Sequence, residues 1–286
     1  MKKFLRVGWI GFLLACPFAL HAQASGISFA IVDSLPLRAR HIFADAMGNL
    51  YWIDARGVFF KKDVHTDSLY QYAQWGAGIP GQADVSNPLR ILLFYPGTGR
   101  IYFLSRWLTP LLVLDLKAHG ILQPAAVSLS YDNQLWVYDL QDGLLKKISP
   151  EGNLLLQSAP FSQLMHQLPQ PVRILNRHHE VYLYDPRQGI VICDELANVK
   201  ATIPIPHSTS FTAAEGQLYV LKADSIYLFS PPFWQEIGMR LPAHLHPVDI
   251  APGANSGTTV EAAGPFLFLL TPKMLYTLQV SGRSNN

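Results

Sequence analysis

Residues 133–152 read NQLWVYDLQDGLLKKISPEG, and this stretch decides the fold. A polar turn leads into an aromatic-centred run, Leu135-Trp136-Val137-Tyr138. An Asp-led turn at 139–143 follows, then a second run at 144–148 and a Pro-Glu-Gly turn. Short β-branched and aromatic runs bounded by Gly, Pro, Asn and Asp spell hairpins. Helical repeats would need apolar residues spaced three and four apart, which these runs lack.

The grammar recurs on both sides of that stretch. Upstream, Ile42-Phe43 is followed by a Gly48-Asn49 turn, Leu50-Tyr51-Trp52-Ile53-Asp54, Val58-Phe59-Phe60 and Ser68-Leu69-Tyr70. A second unit has Arg90-Ile91-Leu92-Leu93, a Pro-Gly-Thr-Gly turn at 96–99, Ile101-Tyr102-Phe103-Leu104 and 111–115. Downstream, similar units start near Ile174, Phe211 and Ile250. Taking Tyr51, Tyr102, Trp136, Tyr182, Tyr219 and Phe268 as second-strand markers gives a mean spacing of about 43 residues, the period of four-stranded propeller blades. The expectation is therefore an all-β chain: a single six-bladed β-propeller of four-stranded antiparallel blades. The last unit shows only three strands, while an orphan strand at 27–35 (ISFAIVDSL) stands alone near the start. An unpaired sheet edge invites aggregation, so the N-terminal strand is expected to close the last blade. The markers Tyr51, Tyr102, Trp136, Tyr182 and Tyr219 are expected between blades, in the core, with carbohydrate stacking as the alternative, for which Trp75 and Trp107 in connecting segments are better placed.

The 286 residues divide into an expected signal peptide at 1–24, a propeller at 25–280 and a flexible tail at 281–286. Lys2, Lys3 and Arg6 precede an apolar run over 7–20, and Ala22-Gln23-Ala24 supplies an A-x-A cleavage site. The run is shorter than the ~20 residues needed to span a bilayer, and no later run is long enough. Leu13-Leu14-Ala15-Cys16 resembles a bacterial lipoprotein box, but the apolar segment continues past it, which favours ordinary cleavage. The expected location is thus periplasmic or extracellular, with a lipid-anchored form at Cys16 as the alternative. Removing the three signal cations from 22 Lys and Arg leaves 19 against 20 Asp and Glu, a net charge near −1. With no basic block left, nucleic acid is not an expected partner. Cys193 is then the sole cysteine, so no internal disulfide can form.

Gly76-Ala77-Gly78-Ile79-Pro80-Gly81 matches G-x-G-x-x-G, but Pro80 and the following 82–88 offer no helix to hold a pyrophosphate. No cofactor is implied. The same residues, with Pro88 ahead of Arg90-Ile91, resemble the linker of NHL-repeat propellers, in which a Gly-rich turn and a Pro precede the inner strand. In that family an Asp follows the aromatic strand, a place Asp54, Asp139 and Asp185 fill here, while Ser105, Lys222 and Thr271 depart from it. The resemblance spans about residues 40–280 and implies the propeller fold. It leaves function open, because propellers host binding proteins, lyases and hydrolases. Gluconolactonase-type or amidating-lyase propellers would need acidic and histidine metal ligands that the sequence does not place. His178-His179-Glu180 falls on a turn, His244-Leu245-His246 lacks a third ligand, and there is no G-x-S-x-G elbow. Metal ligands and catalytic residues are accordingly not assigned, and Cys193 reads as a core thiol.

Aligning Ile42, Ile91, Val127, Ile174, Phe211 and Ile250 as inner-strand starts puts His41, Arg90, Arg173 and Asp249 at one channel mouth. Pro-Leu-Arg-Ile, Pro-Val-Arg-Ile and Pro-Val-Asp-Ile share a local pattern there. Arg56 and Arg187 follow the Asp that ends the second strand, and Trp107, with Arg106 beside it, takes that place in unit two. These eight residues are the expected binding face. Arginine forks suit carboxylate or phosphate, so the expected partner is a protein or glycan of anionic or mixed polarity, held by a monomeric ring. Ion pairs that merely plug the channel are the competing reading. Function divides the same way: a non-enzymatic binding scaffold of the bacterial cell envelope, or a metal-dependent lyase or lactonase-type enzyme.

Overall fold

The computed structural model describes residues 28–253 and 266–281, all but a few of the structured ones in strands. The signal segment and its cleavage site lie outside the described residues. The first strand, β1 (Ser28–Pro36), belongs to the last blade. Blade one holds β2 (His41–Ala44), β3 (Leu50–Ile53), β4 (Phe59–Lys62) and β5 (Leu69–Tyr72). Blade two holds β6 (Gln82–Asp84), β7 (Ile91–Tyr95), β8 (Arg100–Leu104) and β9 (Pro110–Asp115). Blade three holds β10 (Pro124–Leu129), β11 (Leu135–Asp139), β12 (Leu144–Ile148) and β13 (Leu154–Gln157). Blade four holds β14 (Arg173–Arg177), β15 (Glu180–Asp185), β16 (Gly189–Asp194) and β17 (Val199–Ile203). Blade five holds β18 (Ser210–Ala214), β19 (Gln217–Lys222), β20 (Ser225–Ser230) and β21 (Gln235–Arg240). Blade six is β22 (Asp249–Gly253), β23 (Phe266–Leu270), β24 (Met274–Ser281) and, outermost, β1. The expected closure is therefore present: β1 pairs antiparallel with β24 from Ser28 opposite Ser281 to Pro36 opposite Met274. The last blade runs one residue further than expected, to Ser281.

Local turn chemistry explains why each meander folds back on itself. Asp45, Asp54, Ser105, Ser149 and Asp194 each accept, through the side chain, the N–H groups two and four residues on. The residue three on is left-handed in every case: Gly48, Gly57, Leu108, Gly152 and Ala197. That is the three-residue hairpin with a bulge, closed by a side-chain cap.

The core lies between blades. Odd positions of β7, such as Ile91, Leu93 and Tyr95, pack on Phe43, Tyr51 and Phe59 of blade one. Even positions, Leu92 and Phe94, pack on Val127, Leu135 and Val137 of blade three. Both faces of each blade are thus buried, so middle strands read as continuous apolar runs rather than alternating ones. Equivalent clusters join blades three to four, four to five, five to six and six to one. The six-to-one joint is thin: its five buried side chains among the described residues are Ile42, Leu50, Ala251, Leu270 and Leu275. Tyr51, Trp136 and Tyr219 are fully buried, as the marker reading expects.

One expected strand is displaced. Blade two begins at Gln82–Asp84, and Ile91 starts its second strand rather than its inner one. Gln82 and Asp84 are nonetheless buried, because their side chains bond blade three next door and, through Gln82, the Ile174 carbonyl of blade four. A polar inner strand satisfied this way carries no apolar signature.

Candidate functional site

Inner strands start at one end of the channel, here the proximal mouth, and finish at the distal mouth. Antiparallel pairing sends the second strand back to the proximal mouth and the third to the distal one. This geometry sorts the eight expected site residues. His41, Arg173 and Asp249 open inner strands β2, β14 and β22 and do meet. Asp249 Oδ2 lies 3.5 Å from His41 Nδ1, and Oδ1 lies 4.0 Å from an Arg173 Nη1. Arg56 and Arg187 stand on the proximal rim, each tied to the Asp two residues before it. Arg56 Nε donates to Asp54 at 3.1 Å, and Arg187 grips Asp185 through Nε at 3.1 Å and Nη2 at 2.9 Å.

Arg90, Arg106 and Trp107 are corrected to the opposite end. With β6 as the inner strand, Arg90 precedes a second strand, and 105–109 joins β8 to β9, so both places are distal. Arg90 sits over the Phe103 ring at 4.5 Å, and Arg106 over Trp107 at 4.0 Å. The eight residues do not converge on one face.

The proximal trio forms a clamp inside the channel. Asp249 accepts from the Ile42 N–H at 2.9 Å and from the Ser210 hydroxyl. Arg173 donates to the Phe211 carbonyl at 3.0 Å and faces the Phe43 ring across the channel at 5.6 Å. Burial by itself would raise the Asp249 carboxyl, but His41 and Ser210 hydrogen bonds and the Arg173 charge hold it below the usual range. Asp84 is held low in the same way, against its burial, by the Arg177 charge and bonds from Ser86 and Ser128. Burial moves the Arg173 guanidinium down, an effect Asp249 and Asp84 oppose.

At the distal mouth a cavity of about 1040 Å³ opens, lined by turns between first and second strands, with Asn87, Tyr131, Asn133, Arg177, His178, His179 and Glu215 contributing side chains. The segment 254–265, which joins β22 to β23 at this same end, lies outside the described residues. Two-residue turns carry His178 (φ 51°) and His179 (φ 60°), and Glu215 (φ 49°) with Gly216. Left-handed non-glycine residues cost about 1–3 kcal/mol each and gather at functional sites. The Gly216 N–H donates to His178 Nε2 at 3.1 Å, which joins two turns of the rim. Asn87 donates to Asn133 at 2.8 Å, and His179 meets the edge of Tyr131 at 5.5 Å. The buried Ser130 hydroxyl, also on this wall, has no hydrogen-bond partner among the described residues. Among those residues no three His, Cys, Asp or Glu side chains gather as a metal cluster. The sequence reading noticed His178 and His179 but missed Arg177, Asn87 and Asn133. The available signal was their place in tight turns after inner strands.

No protein-family profile and no curated protein sequence matches the chain. Solved structures do. A streptogramin B lyase superposes with a TM-score of 0.60 at 11% identity, over 88% of this chain and 98% of that one. Virginiamycin B lyase from Staphylococcus aureus gives 0.59 at 11% identity, over 88% and 99%. The Neurospora crassa Pan2 WD40 domain gives 0.58 at 10% identity, over 92% and 97%. At such identities the similarity speaks for architecture alone, and it agrees with the strand order: the chain is a six-bladed β-propeller.

Proposed function

We propose that this chain is an exported, non-enzymatic binding module of the bacterial cell envelope that holds a protein or glycan partner at one end of its ring. The single observation that carries the reading is the 1040 Å³ distal mouth, walled by polar side chains on strained turns from several blades. Its Arg177 floor, amide rim and two histidines suit a partner of anionic or mixed polarity. Export rests on the charged, apolar and A-x-A segments of residues 1–24. Intact mass of secreted material tests it: a terminus near Ser25 supports the reading, and a lipidated Cys16 points to the anchored form.

The mouth is tested with an Arg177→Ala/His179→Ala variant, compared with Arg187→Ala, as bait for envelope extracts. Loss of a specific partner from the double variant alone supports the distal site. Loss from Arg187→Ala alone moves the site to the proximal rim. The fold shared with lyases favours a second reading, a metal-dependent lyase or lactonase. Stoichiometric calcium or zinc in elemental analysis of the purified chain would favour it over the binding module.

A further inference from the structure

On the proximal side, away from the distal mouth, the link between β5 and β6 forms a separate groove of about 450 Å³. Trp75 lies in it with its side chain largely in solvent, at 80% exposure. An indole left in water forgoes one of the largest burial gains any side chain offers. Its surroundings are fixed rather than loose. Tyr72 donates its hydroxyl to Gln74 Oε1 at 3.1 Å, which leaves the Gln74 amide N–H groups available to the groove. Arg56 is tied through Nε to Asp54, so its outer nitrogens are also available. Gly57 lets the link lie close: a Cβ there would come within 3.2 Å of Pro80 and 3.3 Å of Ile79. Ala77 is buried and donates its N–H to the Gln74 carbonyl at 3.3 Å, which anchors the loop that carries Trp75.

We infer that this groove is a sugar-binding subsite, in which the Trp75 indole stacks on the apolar face of a pyranose while Gln74 and Arg56 donate to its hydroxyls. One flat aromatic surface flanked by positioned donors suits a ring that is apolar on its face and polar on its edge. The residues lining the groove are turn and loop residues rather than a strand, so they supply no ladder for an extended peptide. Asp54 cancels the Arg56 charge, so the ligand is a neutral saccharide rather than an acidic one. This site is separate from the distal mouth and stands or falls without it.

The experiment titrates the mature full chain with neutral hexasaccharides of glucose, xylose, mannose and N-acetylglucosamine, a hexagalacturonate and a proline-rich decapeptide. Tryptophan emission and affinity electrophoresis are followed in parallel. The expected result is binding of a neutral hexasaccharide with a blue shift in emission. Trp75→Ala weakens that binding about tenfold or more, equivalent to about 1.4 kcal/mol, while Trp75→Phe retains most of it. Both variants melt within about 1 °C of wild type, since an exposed side chain contributes little to the fold. The proposal is overturned if no neutral saccharide binds, if Trp75→Ala binds as well as wild type, or if only the uronic oligomer or the peptide binds.

Discussion

Replacing Asp249 by Ala should be among the most damaging single changes in the ring. This carboxylate is 2% exposed and sits where the chain's end meets its beginning. Oδ2 accepts from the Ile42 N–H of blade one, and Oδ1 from the Ser210 hydroxyl of blade five and its own Ile250 N–H. Arg173 of blade four stands 4.0 Å away, with its guanidinium inside the channel. Alanine leaves three hydrogen-bond donors and one buried cation without this acceptor, at a joint with five buried apolar side chains among the described residues. At 4 Å and an effective dielectric of about 20 the ion pair alone is worth about 4 kcal/mol. Hydrogen bonds to charged groups add about 1.5–3 kcal/mol each, though these contributions overlap. Breaking a buried pair costs about 3–5 kcal/mol in total. At about 2–4 °C per kcal/mol for a domain this size, the melting temperature should fall by about 6–20 °C. Urea melts and calorimetry at pH 7 read both quantities.

The pH dependence carries a sign. Asp249 is held below its unfolded value, so its contribution is present above about pH 3.9 and is lost as pH falls through the lower, folded value. The gap between wild type and Asp249→Ala should therefore be full at pH 7 and narrow below about pH 4. An Arg173→Met/Asp249→Ala double variant should lose less than the two singles combined, because the buried cation goes with its partner. A single Asp249→Ala variant within about 1 kcal/mol of wild type at pH 7 would refute the clamp.

Deleting residues 25–36 strips β1 from β24 and exposes an eight-residue edge, Met274–Ser281; aggregation or failure to fold is expected, and unchanged melting with full solubility would count against closure. Gly189→Ala should cost about 3 kcal/mol or more, because φ is +125° and the new Cβ would stand 2.0 Å from the Ile203 carbonyl oxygen; denaturant melts would show it. Cys193 is fully buried, and burial pushes its thiol up to about 12, so the native chain should resist thiol reagents that label it quickly once unfolded.

The hairpins were legible because their causes are local. Asp54-x-x-Gly57 and Ser149-x-x-Gly152 carry both the capping side chain and the left-handed residue within five positions. Closure was legible too, since the last unit lacked a strand and 27–35 lacked a partner. The inner strand of blade two was not. Its Gln82-Ala83-Asp84 is short and polar, and the apolar Ile91–Tyr95 run took its place in the reading. A trace of the error was visible in the marker spacings of 51 and 34 around Tyr102. Leu93, which pairs with Ala83 as Tyr51 pairs with Phe43, gives 42 and 43 instead.

That displacement carried Arg90, Arg106 and Trp107 to the far end of the channel and concealed the mouth that Arg177, His178 and His179 help to line. Strand pairing and turn type follow from neighbours a few residues apart, so the sequence by itself determined the hairpins, the all-β ring they imply and its closure by the N-terminal strand. Which polar side chains lie inside was decided only by the closed ring. Gln82 bonds Val127 and Ile174, and Arg173 reaches Phe43 and Asp249, each across blades. Burying such groups is unfavourable until a distant strand supplies the matching donor or acceptor, and no local pattern records where that partner will come from.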